Sequence, residues 1–224
     1  MLIDLHVHTL LSSDSNITPE QYLEAAARGP RRLDALCFTE HRLFPADPEL
    51  DRHYAELAER FGVMVFKGIE ADTNLGHLLL FGVTREVLRR FDLSARMLKS
   101  EALIEVIHGE GGIAIPAHPF RDSGFGPQLD DLLARHGSAL GVIEALNGQN
   151  SPRENAAALT AMEKLGLAGV GGSDAHFVSP KWFLTCATEL ERQVSDIEGL
   201  CAELRAGRVR PLRFDAAPAP SANS

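Results

Sequence analysis

The chain has 224 residues, 45% of them hydrophobic and 24% charged, and its formal net charge is −9 at pH 7. This length suits one large or two small domains with a core that needs no covalent or metal staples, and the composition is ordinary for a soluble globular protein. The acidic balance argues against sequence-independent binding to duplex nucleic acid, because such binding depends on Lys and Arg.

The cysteines and the apolar runs limit the cellular setting. The three cysteines, Cys37, Cys186 and Cys201, form no CxxC pair, which indicates reduced, structural thiols in a cytoplasmic protein. The start of the chain lacks the basic-then-apolar pattern of a signal peptide. Since no apolar run reaches about 18 residues, we expect no membrane partner. Residues 215–224 are Ala, Pro, Ser, Asn and Asp, and we expect a disordered tail.

Short apolar runs alternate with longer amphipathic stretches along the chain. The short runs predict strands at Leu2–Val7, Leu36–Thr39, Val63–Ile69, Leu78–Val83, Ile113–Pro116, Val142–Ala145, Ala168–Gly171 and Phe183–Thr188. The longer stretches predict helices at Pro19–Arg28, Pro48–Arg60, Ala95–His108, Gln128–His136, Arg153–Leu165 and Val194–Ala206. Seven or eight strands in such an alternation favour an α/β fold closed as a TIM-like barrel, with residues 1–214 as one domain.

One connection is too short for a parallel crossover. About seven residues separate Ile69 from Leu78, whereas a crossover needs about a dozen or more. We therefore expect these two strands to form an antiparallel hairpin that turns near residues 74–76. This hairpin would bring His77, at the start of the second strand, to the end of the first strand, where Glu70 follows.

The first polar cluster is Asp4-Leu5-His6-Val7-His8. Residues two apart in a strand point to the same face, so His6 and His8 can chelate one ion, although two buried, hydrogen-bonded histidines would give the same pattern. Asp14 follows in a polar turn, where ordinary turn chemistry is the alternative interpretation.

The remaining candidates follow strand ends. His41 and Glu70 come directly after apolar runs, His118 follows Ile113–Pro116, and Asp174 and His176 follow a glycine pair. In a parallel barrel the carboxyl ends of the strands form one face, and that face carries the active site. Convergence there predicts a shared metal site, since burying so many unpartnered polar groups would be costly.

The number and type of these side chains constrain the metals. The nine candidate ligands are His6, His8, Asp14, His41, Glu70, His77, His118, Asp174 and His176. This is too many for one tetrahedral ion, which takes about four ligands, and predicts two or three divalent ions with bridging carboxylates. Imidazole with carboxylate suits Zn²⁺, Fe²⁺ or Mn²⁺.

Together these motifs resemble the polymerase-and-histidinol-phosphatase (PHP) family. The motifs are DLHVHT at residues 4–9, TEH at 39–41, GIE at 68–70, AHP at 117–119 and GSDAH at 172–176. The resemblance implies a distorted (β/α)7 TIM-like barrel, a trinuclear metal centre and hydrolysis of phosphate esters. It further implies one ion on His6, His8, Glu70 and Asp174, a second on Glu70, His77 and His118, and a third on Asp14, His41 and His176.

Further residues are candidates for chemistry and recognition. Asp174 or His176 could accept a proton and His41 could protonate the leaving group. Arg121, Arg42 and Lys181 lie near these motifs and could bind phosphate oxygens. Asn147, at a predicted strand end, could line the pocket.

The predicted substrate is a small phosphomonoester, a nucleotide or an oligonucleotide end. The alternatives are a metal-dependent amidohydrolase or deacylase, which would use the same activated water, and a non-catalytic metal-binding domain. The oligomeric state stays open.

Overall fold

The computed structural model describes residues 1–122, 129–137, 140–179 and 183–214. The strands in this part of the chain are β1 Leu2–Val7, β2 Ala35–His41, β3 Met64–Thr73, β4 Gly76–Phe81, β5 Ile113–Pro116, β6 Val142–Asn147, β7 Ala168–Gly172, β8 Cys186–Leu190 and β9 Val209–Arg213. The helices are α1 Pro19–Arg28, α2 Pro48–Phe61, α3 Arg85–Arg90, α4 Ser100–Gly109, α5 Leu129–His136, α6 Pro152–Leu165 and α7 Ile197–Arg205.

The strands form a curled seven-stranded sheet and a separate pair. The seven-stranded sheet has the order β5-β4-β3-β2-β1-β8-β9, and β6 pairs with β7 in parallel. A parallel bridge between Val7 and Ala175 joins the pair to β1, so the strands curve around a common interior. The predicted α/β class and distorted TIM-like barrel are confirmed. The single domain over residues 1–214 stays a prediction, and the tail at 215–224 lies outside the described residues.

The predicted hairpin is present and keeps the polar strand ends together. β3 and β4 are antiparallel, with Asp72 opposite His77 and Thr73 opposite Gly76. Because β4 runs backwards, β5 is antiparallel to β4 and regains the direction of β1, β2 and β3. The carboxyl ends of those strands, the start of β4 and the ends of β6 and β7 therefore lie at one end of the barrel.

Local sequence explains several boundaries. Thr18 caps α1 through a capping box with Gln21, and Pro19 occupies the first turn, where its missing N–H costs nothing. α7 covers the end opposite the polar strand ends, where Leu200, Cys201 and Leu204 join the core. Among the described residues, no helix combines the length and the apolar composition of a membrane span.

Two elements begin later in the chain than the sequence predicts. The helix predicted from Ala95 begins at Ser100, because the Leu98 backbone instead bonds to Asp72 and Asn74 beside the β3–β4 hairpin. β8 begins at Cys186 rather than at Phe183 because the chain first turns through Leu184, at a φ of 58°.

Two short elements were not predicted at all. α3 has only six residues, too few for a helical period to stand out, and β9 contains Pro211, which lowers strand propensity. β9 lies at the edge of the sheet, where a missing N–H is tolerated.

Candidate metal centre

The nine predicted ligands lie close together at the polar end of the barrel. β1 supplies His6 and the following His8, both fully buried, while β2 ends at His41 and β3 carries Glu70. The remaining ligands come from the β4 start and from segments after β1, β5 and β7, namely Asp14, His77, His118, Asp174 and His176. These parts of the chain meet because the strand directions bring them to one end of the barrel.

The Glu70 carboxylate is at the centre of this cluster. Its Oε1 atom lies 2.7 Å from Nδ1 of His77 and 2.8 Å from Nε2 of His118. Its Oε2 atom lies 2.9 Å from Nδ1 of His41 and 3.4 Å from Nε2 of both His6 and His8. One buried carboxylate is therefore close to five imidazoles, with each oxygen facing a different subset of them.

The Asp174 carboxylate, like that of Glu70, lies close to His6 and His8. Its Oδ1 atom lies 3.5 Å from Nε2 of His6 and 3.3 Å from Nε2 of His8. The Asp174 backbone N–H donates to the His6 carbonyl at 2.7 Å, which fixes the loop after β7 against β1. Asp174 has a φ of 53°, in the left-handed region that few non-glycine residues adopt. The chain accepts this strained backbone at the point where the carboxylate enters the cluster.

A third group of the predicted ligands lies at the rim. Oδ2 of Asp14 is 3.3 Å from Nε2 of His41, and Oδ1 of Asp14 is 3.5 Å from Nε2 of His176. The His8 ring stacks against the rings of both His41 and His176 at centroid distances of 4.2 and 4.3 Å. Asp14 is exposed, whereas the imidazoles of this group are largely buried.

The distances around Glu70 and Asp174 fit a bound metal ion. Among the described residues, Nε2 of His6, Nε2 of His8 and Oε2 of Glu70 are buried and have no hydrogen-bond partner, although each has polar neighbours within 3.5 Å. Ligands about 2.1 Å from a tetrahedral ion lie roughly 3.4 Å from one another. The four distances from these imidazoles to the two carboxylates are 3.3–3.5 Å, so the residues present fit the group.

Three sets of side chains within the described residues have ligand atoms within 4.8 Å of one another. They are His6, His8 and Glu70; Glu70, His77 and His118; and His8, His41 and His176. The first set holds three of the four ligands that the family resemblance implies for one ion, and the second set holds the three that it implies for another. The third contains His8 where the resemblance implies Asp14, and Asp14 lies beside the other two members.

Burial and mutual attraction shift the pKa values in the cluster. Burial opposes charge on His6, but attraction by Asp174, Glu144 and Glu70 raises its pKa well above the usual value. Burial lowers the pKa of His8 to about 3. Although burial alone would raise the pKa of Glu70, its histidine neighbours, His6 first, hold that pKa well below the usual range. The carboxylate is therefore ionised, which metal binding requires.

A cavity of about 540 Å³ opens onto the cluster. Two of the three predicted phosphate-binding cations, Arg42 and Arg121, line it, and Arg96 lines it as well. Lys181, the third predicted cation, lies outside the described residues. Arg121 donates to Asp174 at 2.7 Å, to Asn147 at 2.7 Å and to Asn150 at 2.9 Å. Its guanidinium is therefore oriented before any ligand enters.

Sequence reasoning missed three residues at this end of the barrel. Arg96 and Gln149 line the cavity, but both lie in loops without a recognisable motif. Glu144 lies within the apolar strand β6, is buried, and touches His6 and His118. Glu144 could have been found from the sequence, because it is an acidic residue inside a predicted apolar strand, where a charge without a partner would be costly.

Three solved structures share the fold with this chain. PsfC from Pseudomonas syringae is 23% identical with a TM-score of 0.66, over 95% of this chain and 91% of that one. A two-domain Bacteroides vulgatus protein containing a predicted PHP-like metal-dependent phosphoesterase is 20% identical with a TM-score of 0.69, over 95% of this chain and 64% of that one. The lesion-specific endonuclease PfuEndoQ from Pyrococcus furiosus is 19% identical with a TM-score of 0.63, over 94% of this chain and 57% of that one. The present chain thus spans less than two thirds of the last two proteins.

Family comparison agrees with the motifs and with the fold. The comparison with curated proteins gives no match. The PHP domain family model matches residues 4–164, and the PHP-associated model matches residues 152–209. The first match alone covers more than half of the chain and includes the predicted ligands from His6 to His118. The chain therefore belongs to the PHP family.

Proposed function

We propose that the chain is a metal-dependent phosphoesterase that hydrolyses a phosphorylated small molecule, a nucleotide or an oligonucleotide end. The observation that supports this most strongly is the set of 3.3–3.5 Å distances from Nε2 of His6 and His8 to the carboxylates of Glu70 and Asp174. Buried polar atoms at these separations, with no hydrogen bond among them, suit a shared divalent ion.

Two or three ions are the proposed occupancy. Glu70 and Asp174 would hold one ion with His6 and His8, and Glu70 would bridge to a second on His77 and His118. Asp14, His41 and His176 would hold a third at the exposed rim, where His8 also lies within reach. Zn²⁺, Mn²⁺ and Fe²⁺ all suit this mixture of imidazole and carboxylate.

Bound ions would supply Lewis-acid polarisation of the phosphate and a hydroxide from water near neutral pH. The chain's own groups would then handle protons and position. Nδ1 of His176 lies 3.0 Å from the Asp174 carbonyl, which assigns the proton to Nδ1 and leaves Nε2 facing the cavity. Nδ1 of His41 faces Glu70, so its Nε2 likewise faces Asp14 and His176. His41, His176 and Asp174 are the proposed proton-transfer residues.

The cavity wall favours an anionic substrate with an organic group. Arg121 is held in place by Asp174, Asn147 and Asn150, so it would orient a phosphate oxygen with little loss of side-chain entropy. Arg42 lines the same cavity, and the half-exposed ring of Phe177 offers apolar surface beside it. Lys181 stays a proposed third cation.

The proposed setting follows from the thiols and the charge. Cys37, Cys186 and Cys201 are buried and free, as expected for a reduced, cytoplasmic protein. The formal charge of −9 argues against extended contacts with duplex nucleic acid. A structure of Endonuclease Q with a 27-mer duplex substrate that carries an abasic lesion has the same fold on a longer chain, so duplex DNA belongs among the substrates to be tested.

A substrate panel tests this proposal. The metal-loaded protein would be assayed with a phosphomonoester, a 3′,5′-nucleoside bisphosphate, a cyclic phosphodiester, single-stranded and abasic duplex oligonucleotides, and acylated chromogenic substrates. The proposal expects metal-dependent hydrolysis of at least one phosphoester in the panel other than the abasic duplex oligonucleotide. Turnover confined to acylated substrates would instead establish an amidohydrolase or deacylase, and turnover of none would favour a non-catalytic metal-binding domain.

A further inference from the structure

Glu144 is a buried carboxylate that touches two of the proposed metal ligands. It lies on β6, and its side chain has no exposed surface. Its Oε1 atom lies 2.9 Å from Nδ1 of His6, and its Oε2 atom accepts the backbone N–H of His118 at 2.6 Å. Asn147 donates to Oε2 as well, at 3.0 Å. Both oxygens are therefore occupied by donors of the chain.

We propose that Glu144 is a positioning residue that directs Nε2 of His6 toward the metal ion and fixes His118 in its ligating geometry. This inference rests on the metal centre of the proposed function. Glu144 is not a ligand in this proposal, since its two oxygens already accept three hydrogen bonds from His6, His118 and Asn147.

The contact with His6 determines which ring nitrogen carries the proton. An ionised carboxylate can only accept hydrogen bonds, so Nδ1 of His6 must donate to Glu144. When the ring loses its second proton, as metal binding requires, Nε2 carries the lone pair and points at Glu70 and Asp174, at 3.4 and 3.5 Å. A carboxylate behind a ligating imidazole also raises its basicity and fixes its ring orientation.

The contact with His118 acts on the backbone. His118 has a φ of 32°, in the left-handed region that is costly for a residue with a Cβ atom. The short hydrogen bond from its N–H to Glu144 stabilises this conformation, and the His118 ring then places Nε2 2.8 Å from Oε1 of Glu70. Glu144 therefore connects ligands of two different proposed ions.

The backbone of β7 packs tightly against the contact between His6 and Glu144. A Cβ atom added to Gly172 would lie 2.4 Å from Cβ of His6 and 3.1 Å from Oε1 of Glu144. Only a glycine lets β7 pass this close to the His6–Glu144 contact. Larger residues at position 172 would push the carboxylate and the imidazole apart.

Glu144→Gln separates the acceptor role from the shape of the side chain. If the new amide nitrogen faced His6, Nδ1 would have to accept, and the proton would move to Nε2, where it blocks metal binding. If the nitrogen instead faced His118, it would meet the two donors that now share Oε2. Either orientation disrupts one of the two ligands, whereas Glu144→Asp keeps the charge with a shorter reach.

Metal affinity measured by competition with a chromogenic chelator tests the proposal without reference to any substrate. Glu144→Gln and Glu144→Ala are expected to bind Zn²⁺ about 10–100-fold more weakly, with partial recovery in Glu144→Asp. Glu203→Gln is the matched control, because Glu203 is a buried carboxylate on α7 that pairs with the partly exposed Arg208, away from the polar end. Undiminished Zn²⁺ affinity in both Glu144→Gln and Glu144→Ala would overturn the proposal.

The wild-type protein offers a second test that does not depend on whether a variant folds. Long-range ¹H–¹⁵N NMR spectra of the Zn²⁺-loaded protein, with His6→Gln for assignment, would report which nitrogen of His6 is metal-bound. The proposal expects a protonated Nδ1 and a Zn²⁺-bound Nε2, and coordination through Nδ1 would refute it. Zn²⁺ binding with the expected tautomer but without phosphoester turnover would contradict the proposed function alone.

Discussion

Oε1 of Glu70, on β3, lies 2.8 Å from Nε2 of His118, which follows β5. The two strands are not neighbours in the sheet, because β4 lies between them and runs in the opposite direction. Because β4 runs in the reverse direction, β5 runs parallel to β3 and its carboxyl end lies at the polar end of the barrel. Glu70 can then contact His41 at the end of β2 as well as His77 on β4 and His118 after β5.

Replacement of Glu70 is expected to disrupt two of the proposed ion sites together. Glu70→Gln would keep the shape but remove the charge that faces five imidazoles, so we expect metal content to fall and turnover to drop by more than about 100-fold. Metal analysis after gel filtration checks the first effect. Glu189→Gln, which loses an exposed pair with Arg210, should keep full metal content. Equal metal content in both variants would contradict the bridging role.

Arg121 is expected to act through its forked geometry rather than through charge alone. Arg121→Lys keeps the charge but cannot reach Asp174, Asn147 and Asn150 together, so kcat/KM for a phosphoester should fall about 10–100-fold. Arg60, which forms an exposed pair with Glu20 and does not line the cavity, is the comparison, and Arg60→Lys should change kcat/KM by less than about threefold. Full activity in Arg121→Lys would show that a point charge suffices.

Asp4 predicts a pH dependence of folding in the metal-free protein. Burial raises its pKa from 3.8 to about 7 in the folded state. Between these two values the unfolded chain has lost the proton and the folded chain keeps it, so the free energy of unfolding falls as pH rises. This carboxyl therefore destabilises the fold most above pH 7, by up to about 4 kcal/mol.

Asp4→Asn isolates that contribution. Its amide oxygen can still accept the N–H groups of His6 and Ser173, which Asp4 now accepts at 3.1 and 2.9 Å. In urea titrations with a chelator present, the variant should gain stability relative to wild type as pH rises from 4 to 8. A difference that is constant over this range would refute the pKa assignment.

Metal binding is expected to release protons. Burial opposes charge on His6 and His41, but carboxylate neighbours raise the pKa of both above the usual value in the metal-free protein. Because a ligating nitrogen must be unprotonated, binding displaces these protons and metal affinity should weaken as pH falls. Titration calorimetry in two buffers of different ionisation enthalpy measures the release directly. Heats that do not depend on the buffer would contradict it.

The sequence predicts much of the candidate site because the proposed ligands follow strand ends. His6, His8 and Glu70 stand at the close of apolar runs, and strand direction alone places them at one end of the barrel. The hairpin could be predicted as well, since the distance from Ile69 to Leu78 is too short for a crossover.

Other features depend on tertiary contacts that local sequence does not carry. The antiparallel pairing of β8 with β1 joins strands that are far apart in the chain, and β9 carries Pro211 at a sheet edge. Glu144 acquires its role from His6, 138 residues away, and from the backbone of His118. Arg121 was expected to bind substrate, and its ties to Asp174 and Asn147 emerge only from the folded chain.

Metal reconstitution tests the central claim most directly. Protein stripped with a chelator would be reloaded separately with Zn²⁺, Mn²⁺ and Fe²⁺, and both bound metal per chain and phosphoester turnover would be measured. The proposed metal centre predicts two or three ions per chain, activity that returns with at least one metal, and loss of both in Glu70→Gln. Phosphoester turnover that persists in the stripped protein, or that survives in Glu70→Gln, would contradict it.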